Sequence, residues 1–409
     1  MSKWIHTTLK DICLKEKGSI ISGPFGSNIS SKFFVEDGVP VIRGNNLSLS
    51  LDKFYDDGFV FVTKEKAEGL NCYAQKGDLL FTAAGTIGQV GILESPLKYE
   101  KYVISNKQLR ARIDTTKVSL LYAYYWFASS WMQDYFIRNN KGSTVPLITL
   151  TELKDAPISY PEDVSVQRRI VEKIESISCK IDINRNICSE LETMAKTLYD
   201  YWFTQFDFPN EEGKPYRSSG GVMEWNQQLK REIPKGWDVS TIGNILTKAP
   251  NTTRIPTGEY LKTGCIPVID QSADYIAGYT NDKNAVLASD AGYVVLGDHT
   301  RIVKYIRFPF ARGADGTQVL KSNTPCVPDE LLYQIVKNVD LSNYGYARHF
   351  KFLKDTLAVI PNETIAKKYV QIVSPIHDKQ VQLTFENVEL TKLRDWLLPM
   401  LMNGQATVE

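Results

Sequence analysis

Two sets of basic, amide and aromatic side chains stand at matching places along this 409-residue chain, and they are what could do chemistry in it. The first set holds Asn28, Lys32, Asn45, Asn106, Lys107, Gln108, Arg110 and Arg112, with Tyr99 and Tyr102 nearby and Arg138 and Lys141 further on. The second holds Gln271, Arg301, Lys304, Arg307, Arg312 and Gln318, then Arg348, His349, Lys351 and Lys354 beside Tyr344 and Tyr346. Arg and Lys suit phosphate oxygens and the guanine edge, whereas Asn and Gln suit the adenine edge. Any one of these residues alone reads as solvated surface. Mirrored in two sets, they point to nucleic acid. Two glycine-rich turns, at 23–28 and 83–88, add places where backbone could approach phosphate, although positive-φ turn geometry is the plainer account of them.

Bond-making machinery is missing. The sequence holds no P-loop, no dinucleotide fingerprint and no Gly-x-Ser-x-Gly elbow. It also lacks the Asn-Pro-Pro or Asp-Pro-Pro run before an aromatic that an amino-methyltransferase site would carry. The four histidines, His6, His299, His349 and His377, stand far apart without metal-ligand spacing. The six cysteines form no CxxC pair, which predicts reduced thiols rather than a zinc ribbon. The carboxylate pairs Asp56-Asp57 and Glu211-Glu212 sit in polar surroundings and read as solvated. A net charge of +1 decides nothing about nucleic acid. No charged leader precedes an apolar run, and no stretch is long and apolar enough to span a bilayer, so neither secretion nor membrane insertion is expected. The chain is expected to do no catalysis and to bind no metal.

The elements that must position the two sets repeat as well. Val39-Pro40-Val41-Ile42 returns as Ile266-Pro267-Val268-Ile269, and Gly77-Asp78-Leu79-Leu80 as Gly292-Tyr293-Val294-Val295. Leu120-Leu121-Tyr122 returns as Leu331-Leu332-Tyr333, and Leu153-Lys154-Asp155 as Leu353-Lys354-Asp355. The matches keep their order and the offset only shrinks, as expected for two copies of one unit with loops trimmed in the second. Each copy is strand-rich, with short apolar runs punctuated by Gly, Asn and Asp. Each also carries one helical segment, at 120–138 and 330–338.

A long heptad pattern follows each copy. In the first, Ile170, Ile177, Asn184, Leu191 and Leu198 form one column, and Ile174, Ile181, Cys188, Ala195 and Trp202 the other. In the second, Ile376, Leu383, Leu390 and Leu397 form one column, and a charge-interrupted series (Ile372, Lys379, Glu386, Leu393, Met400) the other. Neither seam suffices alone, so the two helices are expected to pair antiparallel. A helix over 163–204 would span roughly 60 Å. Asn184 on the seam is placed either to fix register or to reach solvent. Residues 206–237, rich in Gly, Pro and Ser, are expected to be ordered, because Phe206, Phe208, Tyr216 and Trp225 need somewhere to pack.

The stretch 198–237 carries a resemblance. Leu198-Tyr199-Asp200-Tyr201-Trp202-Phe203, Gln205-Phe206-Asp207-Phe208-Pro209, Gly213-Lys214-Pro215-Tyr216, Ser219-Gly220-Gly221 and Arg231-Glu232-Ile233-Pro234-Lys235-Gly236-Trp237 succeed one another as in the specificity subunits of type I restriction-modification systems. Residues 23–30, 39–46, 77–91 and 105–109 resemble that family's target recognition domains, and Gly142-Ser143-Thr144 with Leu153-Lys154 resembles its entry to the conserved helix. The likeness covers essentially the whole chain. It implies an α+β fold with a pseudo-twofold repeat: target recognition domains at 1–161 and 237–360, spacer helices at 162–206 and 361–405, and a connector at 207–236. It implies that each domain reads one half of a split double-stranded DNA target, with the helices setting the unread gap. Two methyltransferase subunits, and optionally two restriction subunits, would be the partners. The methyl donor S-adenosylmethionine, and ATP with Mg where a restriction subunit is present, would be bound by those partners, and the setting would be the prokaryotic cytoplasm. The second copy departs from the family texture, because Gly297-Asp298-His299-Thr300-Arg301 replaces the turn at 81–88, so the half-sites should differ. Two rival readings are a fused methyltransferase or nuclease, which would need a cofactor motif, and a coiled-coil scaffold binding protein only, which would show no salt-dependent DNA affinity.

Overall fold

The structure, a computed structural model, describes residues 3–406 except 143, 315 and 343–348. It divides into two compact units, one of Met1–Ile181 with Glu389–Glu409 and one of Asp182–Val388. Both divisions fall inside long helices, Val164–Tyr199 and Glu363–Met402, so each unit holds the start of one long helix and the end of the other.

The first unit is closed by its own ends: Trp4–Thr8 pairs antiparallel with Pro157–Pro161. Between them lie two four-stranded sheets. One is antiparallel, in the order Ile20–Ser22, Gln108–Arg112, Asp78–Thr82, Val90–Ile92. The other runs Val60–Val62, Val39–Ile42, Lys101–Ile104, Tyr73–Gln75, with its central pair parallel. The second unit repeats this strand for strand. Asp238–Thr241 pairs with Leu357–Ile360. Its antiparallel sheet runs Leu246–Lys248, Thr317–Ser322, Tyr293–Gly297, Val303–Ile306, and its mixed sheet Gly278–Thr280, Ile266–Ile269, Phe310–Arg312, Val286–Leu287. The fold is α+β, and the repeat read in the residues is a repeat of topology.

The central strands Asp78–Thr82 and Tyr293–Gly297 are buried throughout, which is why they read as unbroken apolar runs rather than as alternation. The aromatic segment at 120–138 is two helices, Leu120–Ala128 and Ser130–Arg138, rather than one. Ser129 makes the break: its backbone is extended, and its hydroxyl oxygen accepts the Met132 N–H as a cap on the second helix. The matching helix of the second unit is Asp329–Lys337.

In each unit the two helix segments run antiparallel and share a core with the strands. In the first, Ile170, Val171 and Ile174 share a core with Leu398, Leu401 and Met402, and the Tyr122 hydroxyl donates to the Met402 carbonyl at 3.4 Å. In the second, Asn184 is buried and donates to Asn387 Oδ1 at 2.8 Å and to Glu386 Oε2 at 3.1 Å. Asn184 is therefore a registered contact, not a residue reaching solvent. Ile181 is buried with the first unit's helix segments, whereas Ile177, Leu191, Leu198, Leu390 and Leu397 are half-buried. On the second helix the expected second column is off by one. Ile372 and Leu393 are exposed, and Tyr369, Val373, Ile376, Leu383, Arg394, Leu398 and Leu401 form the buried stripe. A helix that must cover both its partner and a sheet buries a wider face than an a/d seam.

The connector is ordered, as its aromatics demand. Phe208 stacks on Trp237 with centroids 5.0 Å apart and on Tyr216 at 4.6 Å, and the Asp207 carboxylate accepts the Ser218 N–H and hydroxyl. Trp225 is the exception: it lies exposed on the hairpin of Met223–Asn226 and Arg231–Pro234.

Candidate nucleic-acid interface

The two sheets of the first unit leave an open cleft of about 580 Å³ where the turns leaving three strands converge. These turns follow Val39–Ile42, Asp78–Thr82 and Lys101–Ile104. Asn45, Asn106, Lys107 and Gln108 line it together, so four of the residues singled out in the sequence come to one place. Arg43, Thr86 and Gln89 line it as well and were not singled out. Position was the available signal for Arg43, since it directly leaves an apolar strand beside Asn45.

Local hydrogen bonds hold the rim. The Gln89 amide donates to the Gly44 and Leu47 carbonyls at 3.1 and 2.9 Å, and its oxygen accepts the Thr82 hydroxyl at 2.8 Å. Asn106 Nδ2 reaches the Gly26 carbonyl at 3.4 Å, and the Gly23 N–H donates to the Gln108 carbonyl at 2.9 Å. A Cβ on Gly23 would overlap the Ser105 carbonyl, which explains why that turn is glycine there. The loop bearing Lys141 is strapped to the turn at 83–86 by Gly85 N–H to the Pro146 carbonyl (3.0 Å) and Ile148 N–H to the Ala83 carbonyl (2.8 Å). Asn28, Lys32, Arg138 and Lys141 are exposed, and Lys32 lies over the Phe33 ring. Among the described residues, no carboxylate lines the cleft.

Two of the expected cations are unavailable to a ligand. Arg110 points into the protein, bonded to the Tyr73 carbonyl at 2.9 Å and to the Gly18 carbonyl, with Asp78 at 3.7 Å. Asp78 also takes Arg112 at 2.9 Å. Burial pushes the Asp78 carboxyl up and the Arg110 guanidinium down from their ordinary ranges, and their mutual attraction pulls back against both. Lys304 is likewise buried, donating to the Asp270 carbonyl at 2.9 Å and to the Asp274 carbonyl; burial lowers its pKa against the pull of Asp270 and Asp274. A cation on the inward face of a strand needs such partners, and they lie too far along the chain to be read locally.

The corresponding corner of the second unit is built differently. The turn at 297–301 is pinned by buried Asp298, whose carboxylate accepts the Phe350 N–H at 2.8 Å and whose carbonyl contacts His349 Nδ1 at 2.7 Å. Gln271 sits beside this turn, its carbonyl accepting the Thr300 hydroxyl at 2.7 Å. Gln318 reaches Asp298 at 3.5 Å, and Arg312 is spent on the Thr317 carbonyl at 2.8 Å. Arg301 is exposed with φ +63°, a left-handed conformation costly for a side-chain-bearing residue, and Lys351 is exposed on the helix His349–Asp355. Arg348 lies outside the described residues.

Among the described residues, no group of His, Cys, Asp and Glu could hold a metal ion, and no helix is long and apolar enough to cross a membrane. Residues 1–193 match the family model of the type I restriction modification DNA specificity domain. The chain is 27% identical over 359 residues to the type I restriction enzyme MjaIX specificity subunit of Methanocaldococcus jannaschii, covering 82% of this chain and 78% of that one. The chain is thus similar over most of its length to specificity subunits of type I restriction-modification systems, and its first 193 residues match that family's DNA specificity domain. It is also 20% identical over 402 residues to the HindI specificity subunit of Haemophilus influenzae, across 81% of this chain and 87% of that one. The crystal structure of the S subunit from M. genitalium shares the fold at a TM-score of 0.52 and 15% identity, over 98% of this chain and 96% of that one. The matched segment is, by its description, a DNA specificity domain, which points the first unit to DNA sequence recognition.

Proposed function

We propose that this chain is the specificity subunit of a type I restriction-modification system, a non-catalytic adaptor that reads a split DNA target, one half with each strand-rich unit. The carrying observation is the repeat: one topology used twice, with the converging turns rebuilt in the second unit. Two like frames with unlike rims suit two different half-sequences separated by bases that neither reads. Two methyltransferase subunits would bring S-adenosylmethionine and flip the target adenine, and two restriction subunits with ATP and Mg could join them. The long helices would set the unread gap, and the work would be done at the nucleoid of a prokaryotic cytoplasm. Partners would supply part of the phosphate clamp, which fits a net charge of only +1.

Expression with the neighbouring methyltransferase subunit in a methylation-free host, read by long-read detection of modified bases, tests this. The expected result is a split motif with one methylated adenine on each strand, present only with this chain. A stable complex that methylates nothing would overturn the reading in favour of a scaffold.

A further inference from the structure

Two of the side chains that line the first cleft, Gln108 and Arg43, each carry a buried hydrogen-bond donor without a partner. Gln108 is 1% exposed, and its Nε2 has no partner. The Lys107 N–H donates to Ser105 Oγ at 3.4 Å, so the Ser105 hydroxyl gives its own hydrogen to Gln108 Oε1, and the amide nitrogen is left facing away. Beside it, Arg43 uses Nη2 on the Gly58 carbonyl at 3.3 Å, while its Nε is buried and unpartnered. An ideal Cβ on Gly44 would lie 3.5 Å from Gln89 Oε1 and 4.0 Å from Gln108 Nε2, ordinary contact distances that place this glycine beside both amides. Gln89 differs from both, because its amide is spent at each end. Buried donors without acceptors cost stability unless a ligand supplies acceptors.

The complement of two donors is an edge with two adjacent acceptors. In the major groove only guanine offers this, through O6 and N7. Adenine pairs an acceptor with a donor, cytosine presents a donor, and thymine presents one acceptor beside a methyl group. We propose that the first recognition unit reads a guanine through the Gln108 amide and the Arg43 guanidinium, an assignment that rests on the DNA-reading function proposed above.

Among the described residues, the equivalent positions of the second unit do not carry this device. Asp270 follows Ile266–Ile269 as Arg43 follows Val39–Ile42, and Thr317 pairs with Gly297 as Gln108 pairs with Thr82. The Asp270 carboxylate accepts the Ser272 N–H and hydroxyl at 2.9 and 2.6 Å, and the Thr317 hydroxyl donates to the Ala314 carbonyl at 3.2 Å. The guanine contact therefore belongs to one half-site only.

The test uses the full chain in complex with its methyltransferase, on duplexes of the methylated motif in which each purine in turn is replaced by its 7-deaza analogue. One guanine of the first half should lose roughly tenfold in affinity on losing N7. Arg43→Gln should bind that duplex and the natural one equally if the guanidinium takes N7, and Gln108→Met should do so if the amide takes it, as coupled partners do. Gln108→Met adds a second probe, and the analogue series on the unaltered protein stands whether or not that variant folds. A first half without guanine would overturn the proposal, as would undiminished guanine sensitivity in both variants or a coupled effect at an adenine. Absence of any methylated motif would sink the DNA-reading function itself, a result distinct from a motif without this coupling.

Discussion

Lys107 and Arg110 sit three positions apart, and only Lys107 faces solvent. Lys107→Ala should leave thermal stability unchanged while lowering the slope of log affinity against log salt by about one, as loss of a single phosphate contact does. Arg301→Ala should weaken recognition of the second half-sequence alone, read as methylation at targets altered in one half; equal loss at both halves would mark an assembly defect. Arg110→Ala should act through folding, because it strips the buried Asp78 of one of its two cations. A cost of about 3–5 kcal/mol is expected in urea unfolding, and a wild-type midpoint would refute the buried role. The candidate site was legible where chemistry sits on turns: Asn45, Asn106 and Lys107 leave strand ends and meet. It was not legible for Arg110 and Lys304, because a cation in a strand looks alike whether it points to water or to a distant carbonyl. Arg43 escaped notice since one Arg after an apolar strand carries no local sign that its Nε lacks a partner.

At the scale of elements, the attachment of the helix Asp329–Lys337 to the long helices depends on charge. In the second unit Glu192, on Val164–Tyr199, accepts the Tyr333 hydroxyl at 2.8 Å, the Gln380 amide at 3.2 Å and the Lys337 ammonium. Burial alone would raise its carboxyl, but Lys337, Tyr333 and Gln380 together hold it below its ordinary value of 4.5. A carboxylate lowered in the folded state stabilises above its unfolded pKa, and that contribution is lost as pH falls through the folded one. Unfolding free energy should therefore drop as pH falls below the ordinary value of 4.5, and Glu192→Gln should flatten that limb; an identical pH profile in the variant would refute the role. The repeat of strands between the units was legible because apolar runs recur in the same order, as Val39-Pro40-Val41-Ile42 and Ile266-Pro267-Val268-Ile269 do, whereas the strand order within each sheet was not, because pairing joins residues far apart in the chain. The helix break at Ser129 was not, since apolar periodicity continues across it while a single hydroxyl decides where the second helix starts. The buried face of Glu363–Met402 escaped for a related reason. Heptad counting assumes one partner, and Tyr369 and Val373 are buried in a core with sheet residues as well as with Trp202 and Phe203.

At the scale of the whole molecule, the proposed role makes the two long helices a ruler, and a ruler can be lengthened. Four residues inserted after Ile181 and four after Val388 would fall where each helix passes from one compact unit to the other. Four residues add about 6 Å, close to two base-pair steps of ~3.4 Å. They also advance a helix by roughly 40° past a full turn, while two base pairs advance DNA by about 70°, leaving a mismatch near 30° for a local stutter to absorb. Seven residues keep the heptad phase but add about three base pairs, and DNA then turns about 100° while the helix falls roughly 20° short of a whole number of turns. The four-residue insertion should therefore methylate a motif with the same two halves and a gap about two base pairs longer, whereas the seven-residue insertion should lose methylation despite its better-preserved seam. Reversal of that order would mean that coiled-coil register, not DNA twist, limits assembly. An unchanged gap in either protein would mean that the helices do not set the spacing.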